Sequence, residues 1–320
     1  MKDVSYSEDD SNLLVVILDI NPFAWARLAK ARQLSPSALL EQLLQQVLLF
    51  LNAHLALKHE NRLALLASQA GKSTFLYPPP PFAHLNKPPQ TRDANAYPRF
   101  KDADDLIAAS LAALMQDTQG IEEAQHKGTS MIAGALSLAL CYVQRILKVD
   151  DLHKIKPRIL VLSVSPDSPL QYIPIMNSIF SAQKLAVPID VCKLTQDEGV
   201  FLQQAAHISG GMYMTVDAMD EVLQVLLSIF LPDRYSRTFL SVPDQDQVDF
   251  RAACFCHKKI IDIGYVCSVC LSIFCAWSPV CSTCKTKFSF GKPTVVKRLP
   301  PASRPASRPA SRPMTPLSKS

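Results

Sequence analysis

Leu13-Leu14-Val15-Val16-Ile17-Leu18 is an unbroken run of six large aliphatics near the N-terminus, without alternation of apolar and polar positions. Such a run predicts a strand covered by helices on both faces, the middle of a parallel sheet. It ends in Asp19 and Asn21, polar groups brought to the carboxyl edge, where open α/β sheets place their ligand sites. Ser35-Pro36 then reads as the N-cap and first residue of a long helix, with apolar residues at 39, 40, 43, 44, 47, 48, 51 and 55. Leu63–Ala67 and Ser73–Tyr77 read as two strands joined by the turn Gln69-Ala70-Gly71, a hairpin that gives the sheet one antiparallel edge.

Residues 78–98 hold seven prolines and no periodicity, so an exposed loop is expected there. Two helices follow, over 104–116 with the acidic Asp102-Ala103-Asp104-Asp105 at its N-terminus, and over 130–148. Strands over 158–164, 188–194 and 212–216 alternate with helices over 175–185, 201–208 and 219–230; Gly210-Gly211 supplies the left-handed stop of the second of these. The order implies a doubly wound, mostly parallel sheet of about six strands with helices on both faces. The expected organisation is an α/β domain over 11–237, a linker over 238–249, a zinc-binding module over 250–290 and a tail over 291–320.

Composition changes this picture only at the C-terminal end. The net charge is +5, but residues 285–320 carry nine Lys or Arg and no acid, so the rest of the chain sums to −4. The basic balance belongs to the tail, where Pro-Ala-Ser-Arg repeats are too poor in apolar residues to fold. The apolar stretches are too short or too interrupted to span a bilayer, and the acidic start is no secretory signal, so a soluble intracellular protein is expected.

Seven of the nine cysteines lie between Cys254 and Cys284, which in a reducing compartment indicates metal ligation. Cys267-x2-Cys270 and Cys281-x2-Cys284 form two knuckles whose thiolates can converge on one tetrahedral Zn²⁺. Cys254, Cys256, His257 and Cys275 make a further full ligand set for a second, cross-braced zinc. The alternative is a single-site ribbon in which some of these are spectators. Neither knuckle carries a water-activating group, so the zinc is expected to be structural, its binding energy serving as folding energy for a segment with little core.

Other motifs fail on context. Gly71-Lys72-Ser73-Thr74 resembles the end of a phosphate-binding loop, but Leu66 stands where the first glycine belongs and a strand follows. No Ser-His-Asp or Cys-His constellation has supporting context, and no enzymatic activity is expected. Asp19 stands where the von Willebrand factor A domain begins its Mg²⁺ site, with Asn21, Thr129 or Ser130, and Asp167 near the remaining ligand positions. Asn21 and Phe23 replace the hydroxyl residues of that Asp-x-Ser-x-Ser pattern, which argues against tight Mg²⁺ binding.

Four stretches carry a family resemblance: Leu13–Asp19, Arg62–Tyr77, Gln203–Tyr213, and above all Tyr265-Val266-Cys267-Ser268-Val269-Cys270-Leu271-Ser272-Ile273-Phe274-Cys275. The chain resembles the small von Willebrand A subunit of general transcription and DNA-repair factor IIH. The resemblance implies a von Willebrand A-like fold with a zinc module. It also implies a non-catalytic scaffold in the nucleus, serving RNA polymerase II initiation and nucleotide excision repair. The implied partners are the larger von Willebrand A/RING-like subunit and other core subunits; no membrane partner is expected. Two rival readings are a metal-dependent ligand-binding A domain and a nucleic-acid-binding zinc protein; the tail lacks the interleaved aromatics that base stacking requires.

Overall fold

The computed structural model describes residues 10–79, 98–117, 128–149, 155–197, 199–241, 243, 248, 250–257, 260–270 and 272–288. The sheet-forming strands are β1 (Ser11–Asp19), β2 (Arg62–Ser68), β3 (Ser73–Tyr77), β4 (Ile155–Ser163), β5 (Ile189–Lys193) and β6 (Tyr213–Thr215). They form one six-stranded sheet in the order β3-β2-β1-β4-β5-β6. Every pairing is parallel except β2 with β3. This is the doubly wound, von Willebrand A-like sheet expected from the sequence, with its reversal of strand order between β1 and β4.

The central strand divides the core between two faces. Leu14, Val16 and Leu18 point into one cluster, with α1 (Pro22–Arg32), α2 (Pro36–Leu57), α3 (Pro98–Asp117) and a closing helix over 219–230. Leu13, Val15 and Ile17 point into the other, with α4 (Ile132–Val149), α5 (Tyr172–Leu185) and α6 (Val200–Ser209). All six are fully buried, worth about 10 kcal/mol together before conformational entropy is subtracted. Helix α4 is long and apolar enough to cross a membrane, yet half of it is buried, packed on the second face.

Local chemistry sets the helix ends. Asn21 caps α1 by accepting the N–H of Phe23, and Ser35 caps α2 by accepting that of Ala38. The first of these helices was absent from the sequence reading, although Asn21-Pro22 carries the same cap-then-proline signature as Ser35-Pro36. Helix α3 begins at Pro98, so Asp102, Asp104 and Asp105 lie beyond its first turn; Asp104 instead accepts from Asn52 on α2 at 2.9 Å. The closing helix α7 tightens and loosens along its length: a 3-10 turn at Met219–Glu221, an α turn at Val222–Val225 and a π turn at Leu226–Phe230. Most of the proline-rich stretch and all of the Pro-Ala-Ser-Arg repeats lie outside the described residues.

The C-terminal module has two short hairpins. Strand β7 (Ala252–Ala253) pairs with β8 (Ile260–Ile261), and β9 (Tyr265–Val266) with β10 (Ile273–Phe274). It is not a free appendage. Phe255 packs with Ala252 against the α4–α6 cluster, its ring 6.4 Å from Tyr172 on one side and 6.2 Å from Phe274 on the other.

Candidate metal centre and the sheet edge

The β9–β10 hairpin positions the first knuckle: Cys267 follows β9, and its N–H donates to the Ser272 carbonyl at 2.9 Å. The second is closed by the Cys281 N–H to Thr286 carbonyl at 2.9 Å, with Lys285 in the left-handed region at φ 62°. Together they bring the sulfurs of Cys267, Cys270, Cys281 and Cys284 within 4.8 Å of one another. Cys267 and Cys284 are 3.8 Å apart, and Cys270 and Cys281 3.6 Å. A tetrahedral zinc with Zn–S bonds of about 2.3 Å separates its sulfurs by about 3.8 Å, so the set fits that ion. Hydrogen bonds from the Ser272 hydroxyl and N–H hold the Cys270 thiol down at about 6. The hydroxyl and N–H of Thr286 lower Cys284. Both favour the thiolate, the form that ligates metal.

Cys254, Cys256, His257 and Cys275 form a second group, whose ligand atoms also lie within 4.8 Å of one another. His257 Nδ1 stands 3.1 Å from both Cys256 Sγ and Cys275 Sγ, and the latter two are 3.7 Å apart. The Cys254 thiol, raised by burial, is brought down to about 6 by stronger hydrogen bonds from Cys256 and from the N–H groups of His257, Cys256 and Cys275. Cys275 is pushed up to about 11, chiefly because its thiol proton is hydrogen-bonded to Cys254 and Cys256 beside it, a proton that a bound cation would displace. In chain order the ligands interleave: 254, 256 and 257 belong to one group, 267 and 270 to the other, 275 to the first, 281 and 284 to the second. Both clusters can hold a metal ion, and the thiolate-rich donor sets suit a soft, tetrahedral one.

The edge around Asp19 is built differently. Asp19 is fully buried; Oδ1 accepts the N–H of Asn21 at 3.2 Å, and Oδ2 accepts those of Val164 and Ser165 at 3.1 and 2.7 Å. The Asn21 amide donates to the Gly128 carbonyl at 2.7 Å and the Ser165 hydroxyl at 3.1 Å, while its oxygen caps α1. Asp167 accepts the N–H of Phe201 at 2.6 Å, which places a carboxylate at the positive end of α6. Burial raises its pKa against that hydrogen bond and the nearby Lys193. Ser130 bonds Ser68 at 2.8 Å, and Thr129 beside it is half-buried.

The loops bearing Asp19, Asn21, Thr129 and Asp167 therefore do converge, but the side-chain oxygens of Asp19, Asn21 and Asp167 accept N–H groups of the chain itself. This arrangement does not fit Mg²⁺, which requires hard oxygens open to near-octahedral coordination. A residue the sequence reading passed over, Lys193, is buried at the same edge. Its signal was a lysine ending the short strand Ile189–Lys193, all of whose residues are buried.

A family model described as transcription factor Tfb4 matches residues 11–285, spanning both the sheet and the two cysteine clusters. The chain belongs to the Tfb4 family. Among its relatives are general transcription and DNA repair factor IIH subunit tfb4 of Schizosaccharomyces pombe, 44% identical over 289 residues that cover 90% of this chain and 92% of that protein. The subunit TFB4 of Arabidopsis thaliana is 40% identical over 291 residues, covering 89% and 91%. Among solved structures, the N-terminal domain of TFIIH p34 superimposes with a TM-score of 0.57 at 32% identity, over 69% of this Tfb4 chain and 98% of that domain.

Proposed function

We propose that this chain is a non-catalytic scaffold subunit of the general transcription factor IIH core, acting in the nucleus in RNA polymerase II initiation and nucleotide excision repair. The observation that supports this reading most is the continuity of the Tfb4 match, which takes in the α/β sheet and the cysteine module as one unit. The chemistry agrees with it. Among the described residues the sheet edge holds buried, internally bonded groups in place of a reacting constellation, and the cysteine clusters have the donor sets of structural zinc.

In this reading Cys267, Cys270, Cys281 and Cys284 hold one structural zinc, and Cys254, Cys256, His257 and Cys275 a second in a cross-braced module. The ions' task is to fold a segment whose own apolar cluster is small, with three buried members among the described residues, Cys267, Phe274 and Cys281. The faces of the sheet domain and of the zinc module then serve protein contacts, chiefly with the larger von Willebrand A/RING-like subunit and other core subunits. Direct binding of nucleic acid is not part of the proposal.

The test is affinity purification of the tagged full-length chain from nuclear extract, followed by identification of what co-purifies in stoichiometric amount. Recovery of the other factor IIH core subunits in a salt-resistant assembly is expected. Recovery of the chain alone would overturn the scaffold assignment.

A further inference from the structure

One cation is buried where the loops of the sheet's carboxyl edge meet. Lys193 ends β5, directly paired with Ser163 of β4, and its side chain is fully buried. The ammonium donates to the Ser165 carbonyl and to Ser163 Oγ, the latter at 3.4 Å. Burial disfavours its charge; Asp167, Asp19 and Asp197 favour it, and Arg27 opposes them. Ser165 joins the two signs of charge: its N–H bonds the Asp19 carboxylate, its hydroxyl takes the Asn21 amide, and its carbonyl takes the lysine.

A divalent cation bound among carboxylates and hydroxyls at such an edge would do two things. It would neutralise buried negative charge, and it would tie together loops from different strands. Lys193 is placed to do both. Its contacts reach the loop after β4; through Ser165 they reach Asp19 and Asn21 after β1; its field reaches Asp167, which caps α6. Strand β5 is covered on both faces, so a lysine there has no packing rationale of its own.

We propose that Lys193 is a tethered replacement for a divalent cation, supplying from β5 the positive charge that sets the carboxyl edge of the sheet, so that this edge is cation-independent. The lysine therefore acts as a positioning residue for the loops after β1 and β4 and for the N-terminus of α6.

The experiment follows the thermal midpoint of the full-length chain against Mn²⁺, with zinc kept saturating. Wild type is expected to show no Mn²⁺-dependent rise. Lys193→Ala, which leaves the carboxylates without their cation, is expected to melt lower and to recover part of the loss with millimolar Mn²⁺. That recovery should disappear in Lys193→Ala/Asp167→Asn. A wild-type midpoint that climbs with Mn²⁺, or a folded Lys193→Ala that ignores it, overturns the proposal. If Lys193→Ala does not fold, Lys193→Met is compared with Lys193→Met/Asp167→Asn. The double variant is expected to be the more stable of the two, because the unpaired negative charge is gone; equal or lower stability overturns the proposal.

Discussion

Ser165 donates its backbone N–H to Oδ2 of Asp19 across 2.7 Å, joining the loop after β4 to the end of β1. Val164 donates to the same oxygen at 3.1 Å, so a single buried carboxylate oxygen satisfies two consecutive N–H groups where the central strands stop. This gives Asp19 a structural role: it terminates the parallel β1–β4 pair, much as a capping residue terminates a helix. Asp19→Asn presents an amide N–H₂ or a weaker acceptor to those donors, and charged hydrogen bonds of this kind contribute about 1.5–3 kcal/mol. A loss of that size in urea-unfolding free energy, with an unchanged m-value, is expected.

At the opposite end of the sheet, Arg158 does comparable work. Its guanidinium is fully enclosed and donates to the carbonyls of Phe230, Leu231 and Pro232 at 2.5, 2.9 and 2.9 Å, closing the π turn that ends α7. Burial, and then the positive charge of Arg237, lower its pKa to about 10, so it stays charged at neutral pH. Arg158→Met strands the Phe230 and Leu231 carbonyls at roughly 1 kcal/mol or more apiece, a total of about 2 kcal/mol, while Arg237 Nε still reaches the Pro232 carbonyl at 3.1 Å. Arg158→Lys, with a point donor in place of a planar fork, is expected to restore only part of it. Thermal unfolding measures both, and hydrogen exchange should show the loss concentrated in 222–231.

The two glycines after α6 do different jobs. Gly210 adopts φ +73°, the left-handed helix stop read from the sequence. Gly211 is required for a reason of packing: a Cβ there would sit 2.1 Å from the Ile189 carbonyl oxygen and 2.5 Å from its carbon, both backbone atoms at the start of β5. Gly210→Ala should therefore cost about 1–2 kcal/mol of conformational strain. Gly211→Ala must displace β5 itself and is expected to exceed that or to prevent folding, as judged by soluble yield and near-UV circular dichroism.

Those two glycines illustrate what the sequence discloses. Apolar periodicity and caps expose local facts, so all six strands and the long helices over 36–57 and 132–149 were legible, as were the hairpin edge and the cysteine spacing. Asp19 was legible as buried chemistry at the sheet edge, but its partners were not, because the N–H groups of Val164 and Ser165 come from 145 and 146 residues away. Lys193, Arg158 and Phe255 were missed for the same reason: each acts through contacts between segments distant in sequence, and no periodicity marks them. The short helix α1 carries a cap-and-proline signal at Asn21-Pro22, but the same Asn21 also fits a ligand position after Asp19, so the two readings compete for one residue.

Phe255 lies between Cys254 and Cys256, and its ring sits between Phe274 of the cysteine module and Tyr172 of α5. Metal loss and module detachment should therefore be separable. Cys267→Ser/Cys270→Ser removes two thiolates from one site and is expected to lower bound zinc by one ion per chain and to unfold the module while the sheet domain still melts cooperatively. Unchanged zinc content would contradict the ligand assignment. Phe255→Ala leaves both ligand sets intact and removes a packed aromatic between the two units; losses for such truncations run to about 3–5 kcal/mol in full cores. The half-buried Phe255 should fall below that. Full zinc content combined with faster proteolysis between 238 and 250 is expected. If zinc content falls as far in Phe255→Ala as in the double cysteine variant, docking and metal binding are one cooperative event, and the module does not fold without the sheet domain beneath it.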